Sequence, residues 1–129
     1  MTKARGERGA AAVEFALVVP LLLILVLGIA EFGRAYNIST TLASAAREGA
    51  RTMALQNSAS EARTAAQGAA TGISLSASQI TVTPSSCPTS STGSTTLVTV
   101  SITYPMTFVT GLLGSSITLK GTGVMRCNG

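Results

Sequence analysis

Residues 5–36 read RGERGAAAVEFALVVPLLLILVLGIAEFGRAY, and where this stretch resides determines the architecture of the chain. No residue from Phe15 to Ala30 is charged, and with Ala10–Glu14 included the segment reaches 21 residues. At about 1.5 Å rise per residue, a helix of that length spans roughly 31 Å, close to the ~30 Å hydrocarbon core of a bilayer. A soluble domain would need a matching apolar layer to cover it. The last third of the chain is instead dominated by Ser, Thr and Gly with scattered Val, Ile and Leu. Pro20 interrupts the run, but membrane helices tolerate proline because neighbours re-satisfy the freed carbonyl, so a kink or loosened turn is expected there.

Lys3, Arg5 and Arg8, with Glu7 the one acid among them, precede the run. This basic excess predicts that residues 1–9 stay cytoplasmic and that the carboxyl portion is exported. The same features also suit a secretory signal peptide, with Gly28-Ile29-Ala30 as a weak cleavage site before Glu31. Helical character that continues past that point, through Tyr36 and into an alanine-rich stretch, favours retention in the membrane. Glu14 stands apart, since an ionised carboxylate deep in a bilayer costs about 2.5–3.5 kcal/mol and less near a helix end. Headgroup placement is the plain explanation of it. Its setting suggests more: four small or aliphatic residues separate it from Gly9, where a protease could remove the short basic leader.

This constellation resembles the type IV prepilin class and, more closely, the TadE-like pseudopilins of tight-adherence pilus systems. The resemblance rests on Gly9, Ala10, Glu14 and Phe15, and continues through GIAEFGRAY (28–36) and AAREGAR (45–51). It covers about the first fifty residues. It implies cleavage by a prepilin peptidase after Gly9, with Ala10 as the new amino terminus and Glu14 as the fifth mature residue, followed by Phe15. It implies other pilin or pseudopilin subunits, the peptidase and the membrane assembly machinery as partners. Ala10 departs from the bulky Phe or Met common in the wider class. Physically, an amine at Ala10 would lie one helical turn from Glu14, and a neighbouring subunit's amine could approach the carboxylate laterally. Either pairing neutralises charges that are costly apart in apolar surroundings.

Beyond Glu31 the helical signal persists, with Ile38, Leu42, Ala45, Gly49 and Met53 at three- and four-residue spacings. Such small residues suit close packing against a helix or a sheet. Residues 31–72 are therefore expected as an exported alanine-rich helix, with a break near Asn57 and a further piece ending at Gly72. Glu31 with Arg34, and Glu48 with Arg51, sit three apart and would add a few tenths of a kcal/mol each. Arg47, Glu48 and Arg51 are candidates for partner contacts, and a solvated helix face explains them equally well.

From residue 76 to 129 the period changes to that of a small β domain. Ile80 and Val82 alternate with Thr81 and Thr83 before Pro84; Val98, Val100, Ile102 and Tyr104 alternate with Thr99, Ser101 and Thr103. PTSSTGST (88–95) reads as a hairpin loop. After Pro105 an irregular link, MTFVTGLLGSS, leads to a last strand near Ile117–Met125, interrupted by Gly121 and Gly123. Phe108, Val109, Leu112 and Leu113 rest either on the helix or on the membrane face. Three strands with one apolar face need a covering layer, which the alanine-rich helix supplies. The expected fold is α+β: a long membrane-spanning helix that continues as an exported stalk and packs on a small antiparallel sheet.

Cys87 and Cys127 are the only cysteines, both in the portion expected to be exported. A disulfide would staple the carboxyl end to the sheet, worth about 2–4 kcal/mol for a closed loop of about 40 residues. Two free thiols are the alternative. The net charge of +4 comes from nine basic and five acidic residues, without histidine or aspartate. No compact basic patch with aromatics points to nucleic acid, no ligand set to a metal or cofactor, and no triad, paired carboxylates or phosphate loop to catalysis. A minor pilin or pseudopilin is the leading expectation. A single-span envelope protein that binds a partner without entering a filament is the alternative, and a secreted domain released near Ala30 is a third reading.

Overall fold

The computed structural model describes residues 3–89 and 95–128, with helices α1 (Lys3–Gln56) and α2 (Ala59–Ala69) and strands β1 (Ile80–Thr83), β2 (Leu97–Thr107) and β3 (Ser116–Arg126). Met1 and Thr2 of the basic leader and most of the PTSSTGST connection fall outside the described residues. The fold is α+β, a long amino-terminal apolar helix with a three-stranded antiparallel sheet.

Helix α1 runs for 54 residues and contains Pro20 in its interior. It is long and apolar enough to cross a membrane, and none of its apolar window is buried by the rest of the chain. That fits a single-pass membrane protein. The helix ends where Asn57 takes a left-handed backbone, φ 50°, a conformation that asparagine tolerates better than most residues. Ser58 then caps α2, its hydroxyl accepting the Glu61 amide at 3.4 Å. The alanine-rich stretch at 31–72 is thus two helices folded on one another, with the turn at Asn57. Gly49 makes their approach close, since a Cβ there would lie 3.1 Å from the Ala62 carbonyl oxygen and 3.2 Å from the Ala66 Cβ.

The sheet has the order β1-β2-β3, all antiparallel. Val98, Val100 and Ile102 of β2 and Ile80 and Val82 of β1 point inward, onto Leu42, Ala45, Ala46, Ala50 and Met53 of α1, Ala62 and Ala66 of α2, and Ala70 just past its end. The stripe read from the sequence is the buried face, with Ile38 half-buried at its edge. Full burial of large side chains such as Leu42, Met53 and Ile102 stabilises by about 1.5–3 kcal/mol each.

β3 lies along α1, and its glycines explain how. A Cβ on Gly121 would collide with the Leu42 backbone and side chain, and one on Gly123 with the backbone of Ala46 and Arg47. Two strand residues rise about 6.8 Å and four helix residues about 6 Å. Gly121 and Gly123 therefore stay in step with Leu42 and Ala46, and backbone meets backbone at both.

β2 does not stop before Pro105, as expected from sequence, but continues to Thr107 with Pro105 opposite Thr118. β1 pairs only with Thr99–Ile102, so β2 is an edge by the time it reaches the proline. There the missing N–H costs the sheet nothing on that side. The Glu48–Arg51 ion pair is also not formed: both side chains are exposed, and only Glu31–Arg34 comes within 4.0 Å among the described residues.

Candidate functional site

The residues singled out by the sequence fall into three separate places. Gly9, Ala10, Glu14 and Phe15 lie on the first turns of α1, all exposed within the single chain. Ala10 and Glu14 stand one turn apart. A Cβ on Gly9 would meet nothing within 4 Å, so the fold itself places no steric demand for glycine there. Arg47, Glu48 and Arg51 are exposed about 50 Å further along the same helix, too far to act with Glu14. Arg51 lines a groove with Ala54, Leu55, Met125 and Arg126.

Cys87 and Cys127 form a disulfide, with Cα atoms 5.6 Å apart. Its surroundings tie the far end of the fold together. The Asn57 side chain accepts the Cys87 amide and donates to the Cys87 carbonyl at 3.3 Å. The Asn128 amide reaches the Ala54 carbonyl at 3.3 Å, and its side chain donates to the Pro88 carbonyl at 3.1 Å. The helix turn, the loop after β1 and the chain end are thus bonded to each other.

Sequence reading missed the role of Glu31. It is the first residue after the apolar run and, at 5% exposure, the one buried charged side chain among the described residues. Its Oε1 accepts the amides of Val109, at 2.6 Å, and Thr110, at 3.1 Å, in the β2–β3 connection. Its Oε2 has no hydrogen-bond partner, and Arg34 Nη1 lies 4.0 Å away. The same Nη1 donates to the Thr107 carbonyl at 3.0 Å. Glu31 and Arg34 therefore clamp the β2–β3 connection to α1. Phe108, half-buried, joins Phe32, Tyr36, Leu113, Ile117 and Leu119 around an apolar groove of about 270 Å³ beside the clamp. The available signal was positional: an acid at the end of an apolar run, in a chain with no charged residue between Arg63 and Lys120.

This geometry can hold the β2–β3 connection against α1 and orient it. Comparison with curated proteins and with solved structures gave no match. Residues 9–51 match the family model described as TadE-like protein. The match begins at Gly9, takes in Glu14 and the Glu31–Arg34 pair, and ends at Arg51. Over the segment that carries Gly9, Glu14, the apolar run and the helix side of the clamp, the chain is similar to TadE-like proteins.

Proposed function

We propose that the chain is a non-catalytic minor pilin or pseudopilin, a structural component in the assembly of a tight-adherence type pilus. Residues 10–30 span the membrane, residues 1–9 are cytoplasmic, and the sheet and α2 lie on the exported side. Prepilin peptidase cuts after Gly9. Other pilin or pseudopilin subunits and the membrane assembly machinery are the partners.

Glu14 carries this reading. It is the one carboxylate within a lipid-length segment, it is exposed on α1, and no ion pair among the described residues neutralises it. An unpaired charge in apolar surroundings calls for a partner from outside. The amine created at Ala10, its own or a neighbour's, is of the right charge and one turn away. The match to TadE-like proteins supports a pilus association.

Sequencing the amino terminus of the mature protein tests the cleavage, and Ala10 is the expected first residue. Crosslinked recovery with pilus-system partners, normalised to membrane abundance, tests the pairing. Glu14→Ala should insert and be cleaved normally but lose recovery, by about 3–5 kcal/mol if the pair is buried and much less if water reaches it. Substitution of Gly9 should block cleavage first and assembly as a consequence. Undiminished recovery of Glu14→Ala would instead favour a single-span anchor that never enters a filament.

A further inference from the structure

The β2–β3 connection, residues 108–115, is held at the level where the apolar run of α1 ends. Val109 and Thr110 share a groove with Leu27 and Ala30, so Val109 sits beside the last turn of the span. Three of its large apolar side chains face outward: Val109 is 82% exposed, Leu112 53% and Leu113 54%. The nearest charged residue in sequence after the loop is Lys120. Phe32 and Tyr36, both exposed, flank the same level on α1, the position where aromatic rings favour the membrane–water boundary.

The part of the loop's backbone nearest the helix is prepared for a dry setting. Glu31 takes the Val109 and Thr110 amides, the Ser115 carbonyl takes that of Phe108, and the Gly111 carbonyl that of Gly114. Arg34 satisfies the Thr107 carbonyl. Backbone groups left without partners are what keep ordinary loops out of the acyl region. Here a buried carboxylate on the membrane helix removes that obstacle for the Val109 and Thr110 amides, the ones nearest the span.

We propose that residues 109–113 are a second membrane contact. Val109, Leu112 and Leu113 enter the acyl boundary of the leaflet on the exported side, and the Glu31 clamp fixes their depth relative to α1. This rests on the membrane-spanning reading of residues 10–30. An apolar surface of this kind reaches about 5–10 Å into the headgroup–acyl boundary.

The chain contains no tryptophan, so single tryptophans report without background. The full chain, with its disulfide intact, would be reconstituted in phosphatidylethanolamine–phosphatidylglycerol vesicles containing brominated lipids. Leu23→Trp marks the span. Leu97→Trp is the matched control, because Leu97 is 52% exposed like Leu112 but lies at the opposite end of β2, about 33 Å from Thr107. Leu112→Trp should be quenched at least half as strongly as Leu23→Trp, and more by bromines near the headgroup than by deep ones, while Leu97→Trp is unaffected. Leu112→Trp behaving like Leu97→Trp, with Leu23→Trp quenched, would overturn the loop contact and leave the span intact. Blue-shifted but unquenched Leu112→Trp emission would mean that protein, a second copy included, covers the loop, and would overturn it too. An unquenched Leu23→Trp would remove the span and the proposal together.

Discussion

Gly121→Ala adds one methyl group where β3 meets α1, and the structure leaves it no room. The new Cβ would stand 2.6 Å from the Leu42 carbonyl oxygen and 2.7 Å from its Cβ, where ordinary contact begins at 3.4 Å. Two of its three nearest atoms are helix backbone, which cannot rotate aside, so α1 and β3 must separate by most of an ångström along a buried seam. Overpacking in a filled core costs about 1–3 kcal/mol, occasionally more, and contact with backbone puts this site at the upper end. For a folded unit of this size, about 3 kcal/mol lowers the melting temperature by some 12 °C or more. Gly121 does not have a left-handed backbone, so the loss would be steric and not conformational. Gly68→Ala is the counter-experiment: it lies within α2, nothing stands within 4 Å of its new Cβ, and alanine should gain about 0.5–1 kcal/mol of helix propensity. Thermal unfolding of the full chain in detergent, followed by circular dichroism, should move in opposite directions for the two. Gly121→Ala melting within error of the wild type would refute the claim that glycine sets the helix–sheet distance.

Glu31→Ala should free the Val109 and Thr110 amides and raise hydrogen exchange across residues 108–115 while leaving β1 protected; unchanged exchange would mean the loop is held by its apolar contacts alone. Asn57→Ala loses both the tolerance for φ 50° and the two bonds to Cys87, a destabilisation of about 2–3 kcal/mol in denaturant titrations. Asn57→Gly recovers the first part only, so a midpoint equal to that of the alanine variant would contradict the backbone account. Reducing Cys87–Cys127 releases a 40-residue separation and should cost about 2–4 kcal/mol, read as a lower melting point in reductant. A reporter fused to the carboxyl terminus should be active only on the exported side, and cytoplasmic activity would reverse the proposed orientation.

The strands were legible because Val98, Val100, Ile102 and Tyr104 alternate with small polar residues, and one face of a sheet leaves that signature directly. The long apolar helix was legible from length and lack of charge, and the disulfide because there were only two cysteines to pair. The Glu31 clamp was hidden because its partners are backbone amides 78 and 79 residues away, which no side-chain pattern marks. Gly121 and Gly123 looked like interruptions because the reason for them belongs to α1. Pro105 looked like a strand end because its tolerance depends on β1 being only four residues long. In each case the deciding fact lies on a different element from the residue it explains.

The seam between β3 and α1 also has a mechanical meaning. Its contacts follow one another from Glu31 and the loop at one end, through Leu42 against Gly121 and Ala46 against Gly123, to Ala54 against Asn128 at the other. Strand and helix advance together, so tension along the helix axis loads these contacts simultaneously, like a lap joint in shear. Peeling, which breaks contacts singly, would have to start at an end. One end is held by the Asn128 amide on the Ala54 carbonyl, backed by the Cys87–Cys127 bond and the Asn57 contacts to Cys87, and the other by a carboxylate holding two amides. A long helix built this way can be pulled from its amino-terminal half without shedding the sheet it carries.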